Sequence, residues 1–354
     1  MTPRQTFLWP LSVLYSAGAR LRTWSYRARI LRQRSLRGVV ISVGNLTVGG
    51  TGKTPMVVWL AQRLGAAGRH TAILCRGYRP LPARSRSAEG RGIPEGWNDE
   101  AALLRKRLGD EVEIGVGADR FRTGRGLESR RGVECFILDD GFQHLRLARD
   151  VDIVLLDATS PFGGGHLLPA GRLREPISAL RRADIIVITR SKHAPAIEAI
   201  IQRHTPAPIV YSFTELLSVE AYGSPVISGN DPPAETHTFF AFCGIGNSSA
   251  FFDDLKKWKI QVAGNATYRD HHLYTEGDLA ELESRALAAG AGALLCTEKD
   301  VQNLIPLRPN HLPLFFCKIA LCFNDEAGLW QTIAGKIAHA ESNAQSKTRS
   351  KRRR

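Results

Sequence analysis

The sequence predicts an α/β protein: a mostly parallel sheet with helices on both faces, followed by a smaller C-terminal α/β domain. Three observations carry that prediction. Short apolar runs at 39–43, 70–75, 135–138, 153–156 and 185–188 have the length and composition of buried parallel strands. Stretches with helical spacing lie between them, as parallel strands require. A second series of runs, at 238–243, 293–296 and 314–317, follows a proline-rich segment around 205–235 that marks a change of domain.

Taken in order, the chain opens on a helix. Leu14, Ala17, Leu21, Trp24, Ala28 and Leu31 recur at three- and four-residue spacing, with Phe7, Leu8, Trp9 and Tyr15 near the start. Residues 1–38 hold eight arginines and no lysine or acid, and residues 347–354 hold six more basic residues and no acid. These fourteen charges equal the whole net charge of +14, so residues 39–346 are formally neutral. A nucleic-acid-binding domain wants its basic face on the folded body, so that class is disfavoured. A basic amphipathic helix with aromatics fits the headgroup region of an anionic membrane. The same stripe also fits packing against the domain, and both readings stay open here. A signal peptide over 7–19 is the third reading, and a nucleotide-binding motif just downstream argues against export. No run reaches the roughly 18 apolar residues of a membrane-crossing helix.

The strand at 39–43 runs into Gly44-Asn45-Leu46-Thr47-Val48-Gly49-Gly50-Thr51-Gly52-Lys53-Thr54, and Val57, Leu60, Ala61 and Leu64 then give one face of a helix. A glycine-rich turn between strand and helix lets backbone N–H groups cradle a phosphate. Gly49, Gly50, Thr51, Gly52, Lys53 and Thr54 are the candidate nucleotide contacts, with Lys53 reaching the β/γ-phosphates and the Thr54 hydroxyl on Mg²⁺. Pro55 suits the first helical turn. The usual first glycine of this P-loop motif is replaced by Thr47.

Further on, a helix is expected from Asn98-Asp99-Glu100 through Leu108, after a Pro/Gly/Arg/Ser-rich loop at 79–97. The strand at 135–138 ends on Asp139-Asp140-Gly141-Phe142-Gln143-His144, and acids at that edge of a parallel sheet suit Mg²⁺ binding. Gly171-Arg172-Leu173-Arg174-Glu175-Pro176 follows a Gly/Pro-rich loop, its arginines fit for clamping phosphate or for facing solvent. In the second domain, Gly244-Ile245-Gly246-Asn247 reads as a tight turn before a helix at 250–258, and Thr297-Glu298-Lys299-Asp300 as a turn. Adjacent His271 and His272 do not converge on a metal, whereas a single histidine there can move protons. The six cysteines form no Cys-x-x-Cys pair and suit buried thiols in a reducing compartment.

These blocks, standing in this order, resemble the tetraacyldisaccharide 4'-kinase family of lipid A biosynthesis over roughly residues 10–330. The resemblance implies ATP-dependent phosphorylation of the 4'-hydroxyl of a tetraacylated glucosamine disaccharide 1-phosphate, at the cytoplasmic face of the inner membrane, with the first helix touching the bilayer. It implies Lys53 as the P-loop lysine, Thr54 and Asp139 as Mg²⁺ ligands, and Asp140 as the second acid of the pair. It further implies Asp99 as base for the sugar hydroxyl with His271 as partner, and Arg172, Glu175 and Gln143 on the substrate side. Asn98 stands where the family usually has glycine. The expected organisation is a membrane-facing helix at 1–37, a kinase core at 38–207, a smaller α/β domain at 208–340 and a basic disordered tail at 341–354. No nucleic acid and no obligate protein partner are expected. The competing reading is a P-loop ATPase serving as a switch or assembly factor, which would hydrolyse ATP without a sugar acceptor.

Overall fold

A computed structural model describes the backbone of residues 3–77, 94, 96–222 and 237–352, without the side chains of 3–6 and 347–352. Most of the Pro/Gly-rich loop at 79–97, and Pro225, Pro232 and Pro233, fall outside the described residues. The chain divides into two units, Met1–Arg76 with Arg107–Phe213 and Leu321–Arg354, and Gly77–Lys106 with Thr214–Ala320. The units are therefore not the successive segments 38–207 and 208–340. The stretch around Asp99 belongs with the second unit and the last helix with the first.

Apolar, β-branched runs in the first half become strands with both faces covered. In chain order come α1 (Pro3–Arg27), β1 (Val39–Asn45), α2 (Lys53–Ala66), β2 (Thr71–Cys75), α3 (Asp99–Leu108) and β3 (Glu113–Val116). Then follow α4 (Arg120–Arg131), β4 (Cys135–Asp139), β5 (Val151–Asp157), β6 (Ile185–Thr189), α5 (Pro195–Gln202) and β7 (Ile209–Ala221). Every residue of β1, β2, β4, β5 and β6 is buried, which is why they read as continuous apolar runs rather than alternating ones. The sheet of the first unit runs β3-β2-β4-β1-β5-β6-β7 with all pairings parallel. Val43 of β1 lies opposite Asp139 of β4, so the glycine-rich turn and the acid pair leave the same edge of the sheet side by side. That edge is where open α/β sheets bind ligands.

The spacing of α1 is helical as expected, but the helix ends at Arg27, and Arg29 takes a left-handed conformation (φ 59°), so Ala28 and Leu31 lie beyond it. Its apolar stripe faces outward: Phe7 is 83% exposed, Leu14 69%, Leu21 61% and Trp24 57%. A polar edge holds the helix instead. The Ser12 hydroxyl donates to the Leu167 carbonyl (2.8 Å), Tyr15 to that of Arg174 (3.0 Å) and Arg22 to that of Gln143 (3.2 Å). Such an inversion leaves a row of large apolar side chains exposed, without a partner among the described residues. No described helix is long and apolar enough to cross a membrane.

The second unit holds α6 (Ser248–Lys257), α7 (Glu276–Ala288) and α8 (Glu298–Leu304), with the strands β8 (Phe239–Cys243), β9 (Val262–Thr267), β10 (Ala293–Thr297) and β11 (Leu314–Phe323). Its strands pair in parallel in the order β11-β10-β8-β9. Period-two alternation sends Phe240, Phe242, Leu294 and Cys296 into one core and Phe239, Ala241, Leu295 and Phe315 into another. The expected turn at 297–300 is the start of α8, because Thr297 and Asp300 form a capping box.

The last helix, α9 (Glu326–Arg352), takes in the stretch from 341 read as a tail. Glu326 accepts from Trp59 (2.8 Å) and Arg63, Glu341 pairs with Arg69 (2.6 Å), and Lys336 pairs with Asp184 (2.9 Å). β3, α4, α5, β7, β9 and α7 are additions to the predicted elements. α4 carries two glycines and five arginines with almost no apolar face, so periodicity gives no signal there.

Candidate active site

The glycine-rich turn owes its path to two positions. Gly52 caps α2 in the left-handed region (φ 83°), which a glycine adopts without strain. At Gly44 an added Cβ would lie 2.7 Å from the backbone nitrogen of Phe142, so only glycine lets the acid-pair loop come this close. Thr47, standing where the first glycine of the motif is usual, bridges antiparallel to Leu173. The buried Asn45 side chain donates to the Thr47 carbonyl (2.8 Å) and to the Thr51 hydroxyl (3.0 Å), holding both shoulders of the turn.

Lys53 projects from the first turn of α2 to 3.6 Å from Asp140, whose other oxygen meets Arg174 at 2.6 Å. Asp140 itself has φ 50°, an unusual value for a non-glycine residue. Burial pushes its carboxyl up, but Lys53 and then Arg174 outweigh that and hold it at about 2. Asp139 is buried at the end of β4. Arg120, also buried, donates to the Asp139 carbonyl at 2.7 Å from the start of α4. Burial drives the Arg120 guanidinium down, and the two aspartates draw it back up. Sequence reasoning missed Arg120, since one arginine among so many basic residues carries no signal of its own.

The three expected substrate residues each have a partner within the first unit. Arg172 donates twice to the Val48 carbonyl (3.1 and 2.8 Å) and so clamps the turn. Gln143 donates to the Asn45 carbonyl (2.9 Å) at the end of β1. Glu175, buried, forms a two-point pair with Arg182 (2.7 and 2.9 Å), whose guanidinium lies 4.3 Å from the centre of the Phe142 ring. Beside them, Tyr15, Arg22, Gln143, Arg174 and Glu175 line a cleft of 280 Å³ at the foot of α1.

In the second unit, three segments meet at one carboxylate. Asp99 opens α3 and is 3% exposed. Its Oδ2 meets His271 Nδ1 at 2.7 Å and accepts from Asn303 at 3.2 Å, while Oδ1 accepts the Glu100 backbone N–H at 2.9 Å. His271 holds a left-handed backbone (φ 60°), a departure that concentrates at functional positions. The loop carrying it is framed by buried Asp300, which accepts from the Gly244 N–H (2.7 Å) and from Tyr274 (2.8 Å). Burial raises the Asp99 carboxyl, but His271, Lys299 and Asn303 together bring it below the usual range. The bond to Asp99 raises His271 in turn. His272 is drawn away to Asp278 (3.1 Å) and stacks on Tyr268. Lys299 and Asn303, one helical turn apart on α8, were missed as members of this cluster.

Comparison with known proteins covers most of the chain. The family model for tetraacyldisaccharide-1-P 4'-kinase, LpxK, matches residues 4–338. The tetraacyldisaccharide 4'-kinase of Geobacter metallireducens is 39% identical over 313 residues, spanning 84% of this chain and 88% of the relative. That of Syntrophus aciditrophicus is 36% identical over 342 residues, spanning 90% of each. The crystal structure of LpxK from Aquifex aeolicus in complex with ATP superposes with a TM-score of 0.70 at 30% identity, over 94% of this chain and 99% of that one. With a family model spanning nearly its whole length and relatives well above 30% identity, the chain belongs to the tetraacyldisaccharide-1-P 4'-kinase family.

Proposed function

We propose that the chain transfers the γ-phosphoryl group of ATP to the 4'-hydroxyl of a tetraacylated glucosamine disaccharide 1-phosphate, a step of lipid A biosynthesis. Family membership supports the activity, and an ATP complex of the Aquifex aeolicus relative supports the donor. The observation that carries the chemistry is the Asp99–His271 contact at 2.7 Å. A buried, ionised carboxylate hydrogen-bonded to imidazole is suited to take the proton of an attacking alcohol.

On this reading the amides of Gly49 to Lys53 cradle the triphosphate and Lys53 sets a positive charge on its β/γ end. Thr54 and Asp139 offer a hydroxyl and a carboxylate oxygen, the hard donors that Mg²⁺ prefers. Mg²⁺ bound there would neutralise phosphate charge. Asp140, held by Lys53 and Arg174, keeps the lysine aligned. Arg172 fixes the turn from behind, and Glu175 and Gln143 support the loop on the acceptor side. The outward stripe of α1 and the arginines around it suit a peripheral position on the anionic cytoplasmic face of the inner membrane. The acyl chains of the acceptor resist leaving a bilayer at about 0.8 kcal/mol per CH₂. On this reading the two units divide the labour, the first holding the donor and the second, with Asp99 and His271, activating the acceptor, while α1 serves attachment.

The test is incubation with γ-labelled ATP, Mg²⁺ and detergent-dispersed disaccharide 1-phosphate lipid, with Asp99→Ala alongside. Label should enter the lipid and be lost in the variant. Equal ATP hydrolysis with and without lipid, and no labelled lipid, would instead favour an ATPase switch.

A further inference from the structure

Lys299 stands in a place that the proposed reaction, on which this inference rests, does not use. It projects from the first turn of α8 toward three carboxylates, those of Asp99, Glu100 and Asp270, and one imidazole. Its ammonium lies 3.2 Å from Asp270 Oδ1, 4.0 Å from Glu100 Oε1 and 3.4 Å from His271 Nε2. The two ring nitrogens of His271 thus face opposite kinds of partner. Nδ1 meets the Asp99 carboxylate, which can only accept, so Nδ1 carries the proton. Nε2 meets an ammonium, which can only donate, so Nε2 must offer its lone pair.

We propose that Lys299 is a positioning residue: its ammonium selects the Nδ1–H tautomer of neutral His271 and opposes the protonation of Nε2 that Asp99 favours, and thereby keeps Asp99 available as a proton acceptor. The logic is one of competing charges. Asp99 and, from 3.8 Å, Asp270 favour a doubly protonated His271. Lys299 opposes it, because a second N–H on Nε2 would point at a positive charge. Were His271 to become imidazolium, Asp99 would be tied into a full ion pair and its basicity would fall. Three carboxylates around Lys299 keep the lysine itself charged, against its burial. The remaining neighbours, Asn303 on Asp99 and His272 on Asp278, leave Nε2 to Lys299 and Asp270.

A lysine that merely braced the fold would, on removal, lower activity equally at every pH. A tautomer-setting lysine moves the profile instead. In Lys299→Met the acid limb of kcat should shift upward by about one to two pH units, the scale of one close charge, and Lys299→Arg should restore most of the shift. Nitrogen-15 shifts of His271, assigned by their loss in His271→Gln, give a readout independent of turnover. In the native protein they should report a protonated Nδ1 and a bare Nε2 in its neutral form. In Lys299→Met the His271 titration midpoint should rise. A native Nε2–H tautomer, or an unmoved midpoint in Lys299→Met, overturns the proposal even if lipid is phosphorylated normally. An absence of lipid phosphorylation in the native protein, with the tautomer as described, overturns the kinase reading and leaves the charge arrangement standing. Because the tautomer is read on the native protein, poor folding of Lys299→Met does not remove the test.

Discussion

Asp140 in the first unit and Asp99 in the second are the same residue type at loops that leave the sheet edge or open a helix, yet they are set up for opposite work. Asp140 sits between two cations, Lys53 and Arg174. Its carboxyl is held at about 2, so it is a fixed charge. Asp99 has instead an imidazole on one oxygen and an amide and a backbone N–H to hold it in place. An imidazole can change its charge within the physiological range. Partner chemistry, more than burial, distinguishes an electrostatic fixture from a proton acceptor.

The most direct way to break that contrast is to remove each side separately. Lys53→Ala and Asp99→Asn should each lower kcat/KM by about 10²–10⁴-fold. They should differ in nucleotide affinity, which Lys53→Ala weakens and Asp99→Asn leaves near the native value. Calorimetric titration with ATP checks this, and equal loss of affinity in both variants would erase the distinction between donor and acceptor sites.

The two sites were also unequally legible. The donor site is nearly contiguous: glycines, lysine and threonine in one turn, and an acid pair at the end of an adjacent strand, so spacing alone exposes it. Asp99 and His271 stand 172 positions apart and meet through side-chain contacts that no local pattern encodes. A family likeness named them together, whereas Lys299 stayed hidden inside what read as a turn and Asn303 just beyond it. Their signal was present in the Thr297–Asp300 capping box, which marks a helix start and puts residues 299 and 303 on one face. Arg120 had no comparable signal, because α4 has no apolar stripe to orient it. The strands were readable because burial on both faces demands apolar runs. β9 was not, since most of its residues are exposed.

Next in size is the Glu175–Arg182 pair, which separates support from chemistry. Both side chains are largely buried, at 8% and 16% exposure. Arg182→Met leaves a buried carboxylate alone and should destabilise the first unit by about 3–5 kcal/mol. Denaturant unfolding measures the loss. A stable Arg182→Met variant with weakened lipid affinity would mean that Glu175 serves the substrate rather than the loop.

A smaller effect is expected on α1, whose two sides can be set against each other. Replacing the outward Leu14, Leu21 and Trp24 with serine should leave unfolding free energy within about 0.5 kcal/mol per site, as for exposed positions. Turnover of vesicle-embedded acceptor should nonetheless drop about tenfold, the equivalent of about 1.4 kcal/mol of membrane attachment. If turnover on vesicles is unchanged while stability falls, the stripe is structural.

The smallest expected effect at neutral pH is also the one that compares the units most cleanly, through two histidines of opposite sign. Burial, then Arg120 and Arg149, press His144 in the first unit down to about 4. Between roughly 6.5 and 4 the unfolded chain binds a proton there that the folded one does not. The stability of the first unit should therefore fall as pH drops through that window, with a slope of at most about 1.4 kcal/mol per pH unit. His271 in the second unit is raised by Asp99, so its contribution is full below the ordinary histidine value and is lost as pH rises through the folded one. Urea unfolding across pH should show His144→Gln flattening the acid side and His271→Gln flattening the neutral-to-alkaline side. The same slope change from both substitutions would mean that the two histidines share one environment, contrary to the partners each one has.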